Sequence, residues 1–318
     1  MADRLLVPLD AAGQRLDRFL ARHLALPRNQ VQRWIDDGRV RIAGTAAKAS
    51  SRLEAGDELE WEAPPPALDE RIEPEAGELA VLYEDASLVA IDKPAGIVVH
   101  PGAGRKTGTL VHRLLARYPE LAGVGGPGRP GIVHRLDQGT SGVMVIARTA
   151  AAYQALARAF AARKVSKRYL AICHGAVREP RQVDAPIGRH PTHRQQMAIR
   201  AGGRPAVSRV RPLAVAAAAS LVEVELLTGR THQVRVHMKS LGHPLVGDVV
   251  YGEERWKAVI GAARAALRDF PRPALHAWRL GFAHPEDGRP VALEAHPPAD
   301  LGELWLRISG QPIDAALS

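Results

Sequence analysis

The densest group of potentially reactive side chains lies in residues 131–142, which read GIVHRLDQGTSG. Apolar residues lead into this segment, small polar residues fill its centre, and an apolar run follows, so we predict a polar loop between two strands. Loops held by strands on both sides commonly carry catalytic groups. Asp137, two residues after Arg135, is therefore a candidate nucleophile. The alternative is that Asp137 only caps the turn by accepting the backbone N–H of Thr140 or Ser141.

The other residues offer little for metal or thiol chemistry. The chain has one cysteine, Cys173, so it can form neither an intramolecular disulfide nor a thiolate-rich metal site. The 13 histidines include no H-E-x-x-H pattern. Cys173 precedes His174 in a predicted strand, where neighbouring side chains point to opposite faces, so we interpret Cys173 as a buried structural residue. We predict no metal and no cofactor.

The composition indicates a folded protein with a polyanionic partner. The 318 residues allow two domains, and 43 Lys and Arg against 34 Asp and Glu give a net charge of +9. This charge favours nucleic acid as a partner, although a basic surface kept only for solubility would give the same total. Residues 1–10 do not resemble a signal peptide, and no apolar run reaches the roughly 20 residues of a membrane span. We therefore expect a cytoplasmic protein.

Residues 14–62 form the first predicted domain. Apolar residues recur at helical spacing over 16–24, and a second short helix follows with Asn29 as its possible N-cap and Gly38 beyond its end. Alternation at 39–42 favours a strand. Taken with Arg15-Leu16-Asp17, residues 40–44 and Gly56-Asp57, this pattern resembles an S4-type RNA-binding domain. An ordinary small α+β domain with solvated arginines is the alternative.

Charge is distributed unevenly along this domain and the segment that follows it. Between Arg15 and Arg52 there are nine Lys or Arg and three acids, which places a basic face on the two predicted helices. Residues 63–78 are a predicted linker with three consecutive prolines and five acids. Proline-rich chain is stiff and RNA repels acidic chain, so we expect a spacer between two basic surfaces.

Residues 79–318 form the second predicted domain. Five short apolar runs predict strands, at 79–82, 88–91, 143–146, 169–173 and 221–227. A helix is predicted from Thr149, as its N-cap, to Lys164. Strands outnumber helices and do not alternate regularly with them, so the predicted fold class is α+β with a mixed, largely antiparallel sheet.

The second domain resembles the RluA family of pseudouridine synthases. Residues 134–142 match the family's active-site motif, H-R-L-D-x-x-T-S-G, and three further motifs resemble the segments at 92–96, 167–171 and 228–237. Residues 98–104 and 189–194 resemble the RluD-like branch, in which an S4-type domain also precedes the catalytic domain. Gln138-Gly139 departs from the charged pair expected there after the nucleophile, at two positions that vary in the family.

The resemblance implies an enzyme that isomerises uridine to pseudouridine in RNA, with the target base flipped out of its stack. It implies Asp137 as the nucleophile, Arg235 as its ion-pair partner and Tyr169 as the residue that contacts the uracil. Arg135 would fill the space that the base leaves. Contacts with the RNA backbone are expected from Arg230, Arg189, His190 and Arg194, and from Arg28 and Arg33 in the first domain. The alternatives are a core Tyr169 and solvated arginines.

The RluD-like features imply large-subunit (23S) ribosomal RNA as the substrate, free or in a pre-ribosomal particle, with the helix 69 stem-loop as the target. Another ribosomal site or tRNA is the first alternative. A ribosome assembly factor that binds without isomerising is the second, and a DNA-binding protein is the third. We expect a monomer whose S4-like domain supplies affinity and positioning rather than chemistry.

Overall fold

The computed structural model describes residues 3–24, 26, 28–63, 72–102, 104–125, 129–193 and 196–317. The chain divides into two compact units, Met1–Arg71 and Ile72–Ser318. None of the described helices is long and apolar enough to cross a membrane.

Two helices and a four-stranded antiparallel sheet enclose the core of the first unit. The helices are α1 (Leu16–His23) and α2 (Arg28–Asp36). The strands are β1 (Asp3–Leu6), β2 (Val40–Ile42), β3 (Thr45–Ala46) and β4 (Glu58–Trp61), in the order β1-β4-β2-β3. Leu16 and Leu20, one turn apart on α1, pack with Val31 and Ile35 of α2 and with Leu59 of the sheet. The apolar periodicity of the two helices thus becomes the core.

The structure differs from two predictions for this unit, namely where the second helix begins and where the unit itself begins. Helix α2 begins at Arg28, one residue before the predicted N-cap Asn29, whose side chain lies outside the described part of the chain. Strand β1 was not predicted, because four residues with two charges carry no clear alternation. It pairs with β4 from Asp3 to Leu6, so the compact unit starts ahead of residue 14.

The first turn of α1 carries a fully buried carboxylate, Asp17. Its Oδ2 accepts Arg28 Nη2 at 2.8 Å and Gln32 Nε2 at 2.7 Å, and Arg15 donates to both carboxylate oxygens at 3.1 Å. Burial opposes ionisation, but the hydrogen bonds from Arg15, Gln32 and Arg28 prevail and hold the pKa of Asp17 well below its usual range. This carboxylate ties α1 to α2.

One nine-stranded sheet organises the second unit and confirms the predicted α+β class. Its strands are β5 (Ala80–Glu84), β6 (Leu88–Lys93), β7 (Ser141–Ala147), β8 (Ser166–His174), β9 (Arg181–Asp184), β12 (Val207–Val215), β13 (Ala219–Leu226), β14 (Leu275–Ala283) and β15 (Pro290–Glu294). The order is β5-β6-β7-β14-β8-β13-β12-β9, and β15 pairs with β14. Neighbours are antiparallel except for β7 and β14. A separate hairpin joins β10 (Ile187–Arg189) to β11 (Met197–Ile199).

In the part of this unit that the structure describes, five α-helices cover the sheet. They are α3 (Leu110–Arg117), α4 (Ala150–Ala161), α5 (Gln233–Ser240), α6 (Ala262–Asp269) and α7 (Ala299–Ser309). Every residue of β7 is buried, because Met144 and Ile146 join the core cluster under α3 while Val143 and Val145 join the one under α4. Burial on both faces explains why this strand reads as a continuous apolar run.

The predicted spacer is shorter than 63–78, because the second compact unit begins at Ile72. Ile72 packs against the core under α3. Glu75 accepts the N–H of Gly108 at 2.8 Å and donates its own N–H to the carbonyl of His112. Residues 64–71, which include the three prolines, lie outside the described residues.

The helix predicted after Thr149 is α4. Thr149 caps it by accepting the N–H of Ala152 at 3.1 Å, as predicted, but the helix ends at Ala161 rather than Lys164.

Candidate active site

The loop that carries Asp137 is anchored where β7 begins beside β14. Gly142 pairs in parallel with Ala277 and has φ +114°, and a Cβ at this position would lie 2.2 Å from the Ala277 carbonyl oxygen. Only glycine permits this approach. The buried His276 donates from Nε2 to a carbonyl at 2.9 Å and accepts the Ser141 hydroxyl at Nδ1, also at 2.9 Å. The end of the loop is therefore fixed in place.

Lys93, at the end of β6, holds the same loop from behind. Its fully buried ammonium donates to two nearby carbonyl oxygens at 2.8 and 2.9 Å and reaches the carbonyl of Gln138 at 3.4 Å. Burial lowers the pKa of Lys93 to about 8, with a further lowering by Arg272 that the charge of Asp137 opposes. Lys93 thus places a positive charge behind the residue after Asp137.

The carboxylate of Asp137 faces Arg235 of α5, 98 residues away in the chain. Arg235 Nη1 lies 3.4 Å from Asp137 Oδ2, while Nε and Nη2 bind the two oxygens of the buried Asp248 at 2.7 and 2.8 Å. Burial opposes the charge on Arg235, but the hydrogen bonds to Asp248 prevail and raise the pKa of Arg235. The alternative that Asp137 only caps its turn is not supported, since Thr140 N–H bonds the Asp137 backbone carbonyl instead.

A second contact to Asp137 comes from His232, which precedes α5 with φ +57°. Its Nε2 lies 3.8 Å from Asp137 Oδ2. The Tyr251 hydroxyl accepts the N–H of Met197 at 2.7 Å and lies 2.8 Å from His232 Nδ1. Burial lowers the pKa of His232, and the charge of Asp137 opposes this lowering. His232 thus presents Nδ1 to the Tyr251 hydroxyl and Nε2 to Asp137.

These groups open into a cavity of about 620 Å³ lined by Asp137, Tyr169 and Arg235. Burial and the charge of Asp137 raise the pKa of Tyr169, so its phenol keeps its proton at neutral pH. Arg135 also lines the cavity. Four further cations line it, and we call them the basic rim: Arg163, Lys167, Arg204 and Arg230.

The structure brings five of the predicted residues to this cavity: Asp137, Tyr169, Arg235, Arg135 and Arg230. The other predicted RNA contacts lie elsewhere. Arg189 is on β10 and His190 follows it at the tip of the hairpin, while Arg194 lies outside the described residues. Arg28 is paired with Asp17, and Arg33 is exposed on α2.

Sequence reasoning gave no role to several residues that complete the site: His232, Tyr251, Asp248, Lys93, Lys167, Arg163 and Arg204. His232, Lys93 and Lys167 lie in the motif segments at 228–237, 92–96 and 167–171, so a signal was present. Arg163 and Arg204 lie in no motif, and only the fold places them at the cavity. Within the described residues, no group of three or more His, Cys, Asp or Glu could hold a metal ion.

Comparisons with known proteins identify the family of each domain. Residues 87–240 match the RNA pseudouridylate synthase family, and residues 14–59 match the S4 domain. A protein of Nitrosomonas europaea named ribosomal large subunit pseudouridine synthase D is 43% identical over 97% of this chain and 88% of its own length. The chain therefore belongs to the RNA pseudouridine synthase family, and it carries an S4 domain ahead of the synthase domain.

Two other relatives show how far the similarity extends. The Pseudomonas aeruginosa protein of the same name is 43% identical over 94% of this chain and 93% of its own. Among solved structures, human RNA pseudouridylate synthase domain containing 1 covers 77% of this chain and 96% of its own, with 28% identity and a TM-score of 0.59.

Proposed function

We propose that this enzyme converts uridine to pseudouridine in large-subunit ribosomal RNA, in the helix 69 stem-loop, with Asp137 as the nucleophile. One observation carries the assignment of Asp137. Asp137 lines the cavity, and its side chain is 24% exposed. Its carboxylate is paired with Arg235, which the carboxylate of Asp248 holds in place. The target is proposed from the relatives named for large-subunit RNA.

In the proposed reaction the bond between N1 of uracil and C1′ of the ribose breaks and a bond between C5 and C1′ forms. The hydrogen on C5 leaves as a proton and N1 gains one, so the atoms balance without an oxidant or reductant. Asp137 acts as the nucleophile, and its ion pair with Arg235 orients the carboxylate. Tyr169 contacts the uracil as a hydrogen-bond donor, because its phenol stays protonated. Arg135, at the cavity wall, fills the space of the flipped base.

We assign chemistry to residues 79–318 and RNA affinity to residues 14–62, acting as a monomer in the cytoplasm on a large RNA. Deleting the chain up to about residue 66 should raise KM and reduce the salt dependence of binding. An equal collapse of kcat on a minimal stem-loop would contradict this division.

Tritium release from a helix 69 RNA labelled at C5 of uracil tests the function. Wild-type enzyme should release tritium, and Asp137→Asn should release none while binding the RNA in a filter assay. Arg235 keeps its two hydrogen bonds to Asp248 in that variant, so the site should stay folded. Asp314→Asn, at an exposed carboxylate, is the matched control.

Tritium release from whole ribosomal RNA or tRNA, but not from the stem-loop, would show that the target uridine lies outside helix 69. Silence on all three RNAs would contradict the enzymatic proposal and favour an assembly factor. Competition between RNA and DNA in the filter assay separates the DNA-binding alternative.

A further inference from the structure

The basic rim brings together four segments that are distant in the sequence. Arg163 follows α4, Lys167 lies in β8, Arg204 precedes β12 and Arg230 precedes α5. Lys167 Nζ donates to the carbonyl of Thr228 at 3.3 Å, and Arg230 Nε donates to the carbonyl of Pro205 at 3.0 Å. Each anchor fixes a cationic head near the next segment while leaving further N–H groups available.

Arg163 occupies a backbone conformation that favours glycine. Its φ is +59°, its N–H bonds the Phe160 carbonyl, and the N–H of Lys164 bonds the Ala159 carbonyl, which is the Schellman ending of a helix. Gly242 occupies the corresponding position after α5, with φ +79°. The chain thus places a charged side chain at a turn where glycine would be the easier residue, and that side chain lines the cavity.

The basic rim has no acidic partner within the described residues, where none of its four members forms an ion pair with a carboxylate. Some other arginines of this unit are paired, as Arg148 is with Glu120 and Arg272 with Asp300. Burial lowers the pKa of Lys167, and Arg230 and Arg163 lower it further by repulsion. Uncompensated cations that repel one another at a cavity wall favour an anion between them.

We propose that the basic rim binds a phosphodiester group of the RNA backbone next to the flipped uridine. This inference rests on the proposed function, because the same cavity contains Asp137. A phosphate held at the rim positions the nucleotide for Asp137 without taking part in the bond changes. The four residues are positioning residues, and their loss should raise KM more than it lowers kcat.

Two substitutions separate this role from folding. Arg163→Gly removes a charge while supplying the residue that the left-handed turn favours, so its thermal midpoint should equal or exceed that of wild type. Lys167→Met keeps the length of the side chain and removes the ammonium. Arg307→Met is the matched control, because Arg307 is exposed on α7 and does not line the cavity.

The test uses helix 69 RNA with a single neutral methylphosphonate on the 5′ or the 3′ side of the target uridine. On native RNA, each rim variant should raise KM about tenfold, the usual effect of one charge-assisted hydrogen bond. One of the two methylphosphonates should raise the wild-type KM by more than any single variant does, and each rim variant should be less sensitive to it than wild type, because one of the four cations that face the phosphate is gone. Arg307→Met should keep the wild-type sensitivity.

If the increases in KM caused by the variant and by the methylphosphonate multiplied in every combination, the phosphate and the rim would act independently, and the proposal would be overturned. Tritium release by the wild-type enzyme would still support the proposed function in that case. Filter binding of the same RNAs measures the rim without turnover. There each rim variant should lower the slope of log K against log salt by roughly one. An unchanged slope would overturn the proposal even if the enzyme proved silent.

Discussion

Asp17 in the first unit and Asp137 in the second are both carboxylates beside arginine, yet their surroundings differ. Asp17 has no exposed side-chain surface and accepts hydrogen bonds from Arg15, Arg28 and Gln32. Asp137 is 24% exposed, and among the described residues its carboxylate accepts one hydrogen bond, at 3.4 Å from Arg235. A saturated carboxylate joins two helices, whereas a partly coordinated one keeps lone pairs free for a substrate.

The largest effect is expected from Arg235→Lys, which removes the guanidinium that binds both Asp248 and Asp137. A lysine cannot bind both oxygens of Asp248 and still reach Asp137, so kcat should fall about 100-fold or more. Arg148→Lys, in which two N–H donors to one oxygen of Glu120 are replaced by an ammonium, should leave kcat near the wild-type value. Equal losses in the two variants, measured by tritium release, would mean that Arg235 acts only through folding.

Asp17→Asn tests the other side of the comparison. It should destabilise the first unit by about 2 kcal/mol, less than a fully buried pair would, because Arg15 and Arg28 are partly solvated. Hydrogen exchange of the α1 and α2 amides measures this, with the exposed Asp36→Asn as control. Turnover on a minimal stem-loop should persist. Unchanged exchange would show that the saturated carboxylate contributes nothing to stability.

The pH dependence of the stability of the first unit tests whether Asp17 acts as a structural carboxylate. The pKa of Asp17 lies below its ordinary value of 3.8 in the folded state, so its contribution to stability is present above about pH 4 and is lost as pH falls through the folded value. Hydrogen exchange in α1 should therefore accelerate in acid more for wild type than for Asp17→Asn. Parallel acid profiles would contradict this.

The smallest effect is expected from Tyr251→Phe, which leaves Asp137 and Arg235 intact. The variant loses the hydroxyl between Met197 N–H and His232 Nδ1, worth about 1 kcal/mol in stability. It should lower kcat only a few-fold, by releasing His232 from its orientation toward Asp137. A loss as large as that of Arg235→Lys would give the tyrosine a direct catalytic role.

The sequence was enough to predict the fold class, because long apolar runs such as β7 and a capped helix such as α4 carry strong local signals. The placement of Asp137 and Arg235 in one site came from family motifs, since no local pattern joins residues 98 positions apart. Strand β1 was missed because its four residues carry no clear alternation, and its partner β4, which lies more than 50 residues away, gives no local signal. The role of Arg163 at the cavity was not predicted, because no local sequence pattern indicates an arginine in a left-handed turn.

Strand β14 has a consequence for how the enzyme is made. Asp137 belongs to the half of the sheet containing β5, β6 and β7, while Tyr169, His232 and Arg235 belong to the half that starts with β8. Among the described strands, β14 alone pairs with both halves, and it is Leu275–Ala283, near the end of the chain. We expect the two halves to form early during synthesis and the carboxylate to meet its arginine only after the ribosome has released about nine-tenths of the chain. A growing chain should then stay inactive until β14 pairs with β7 and β8.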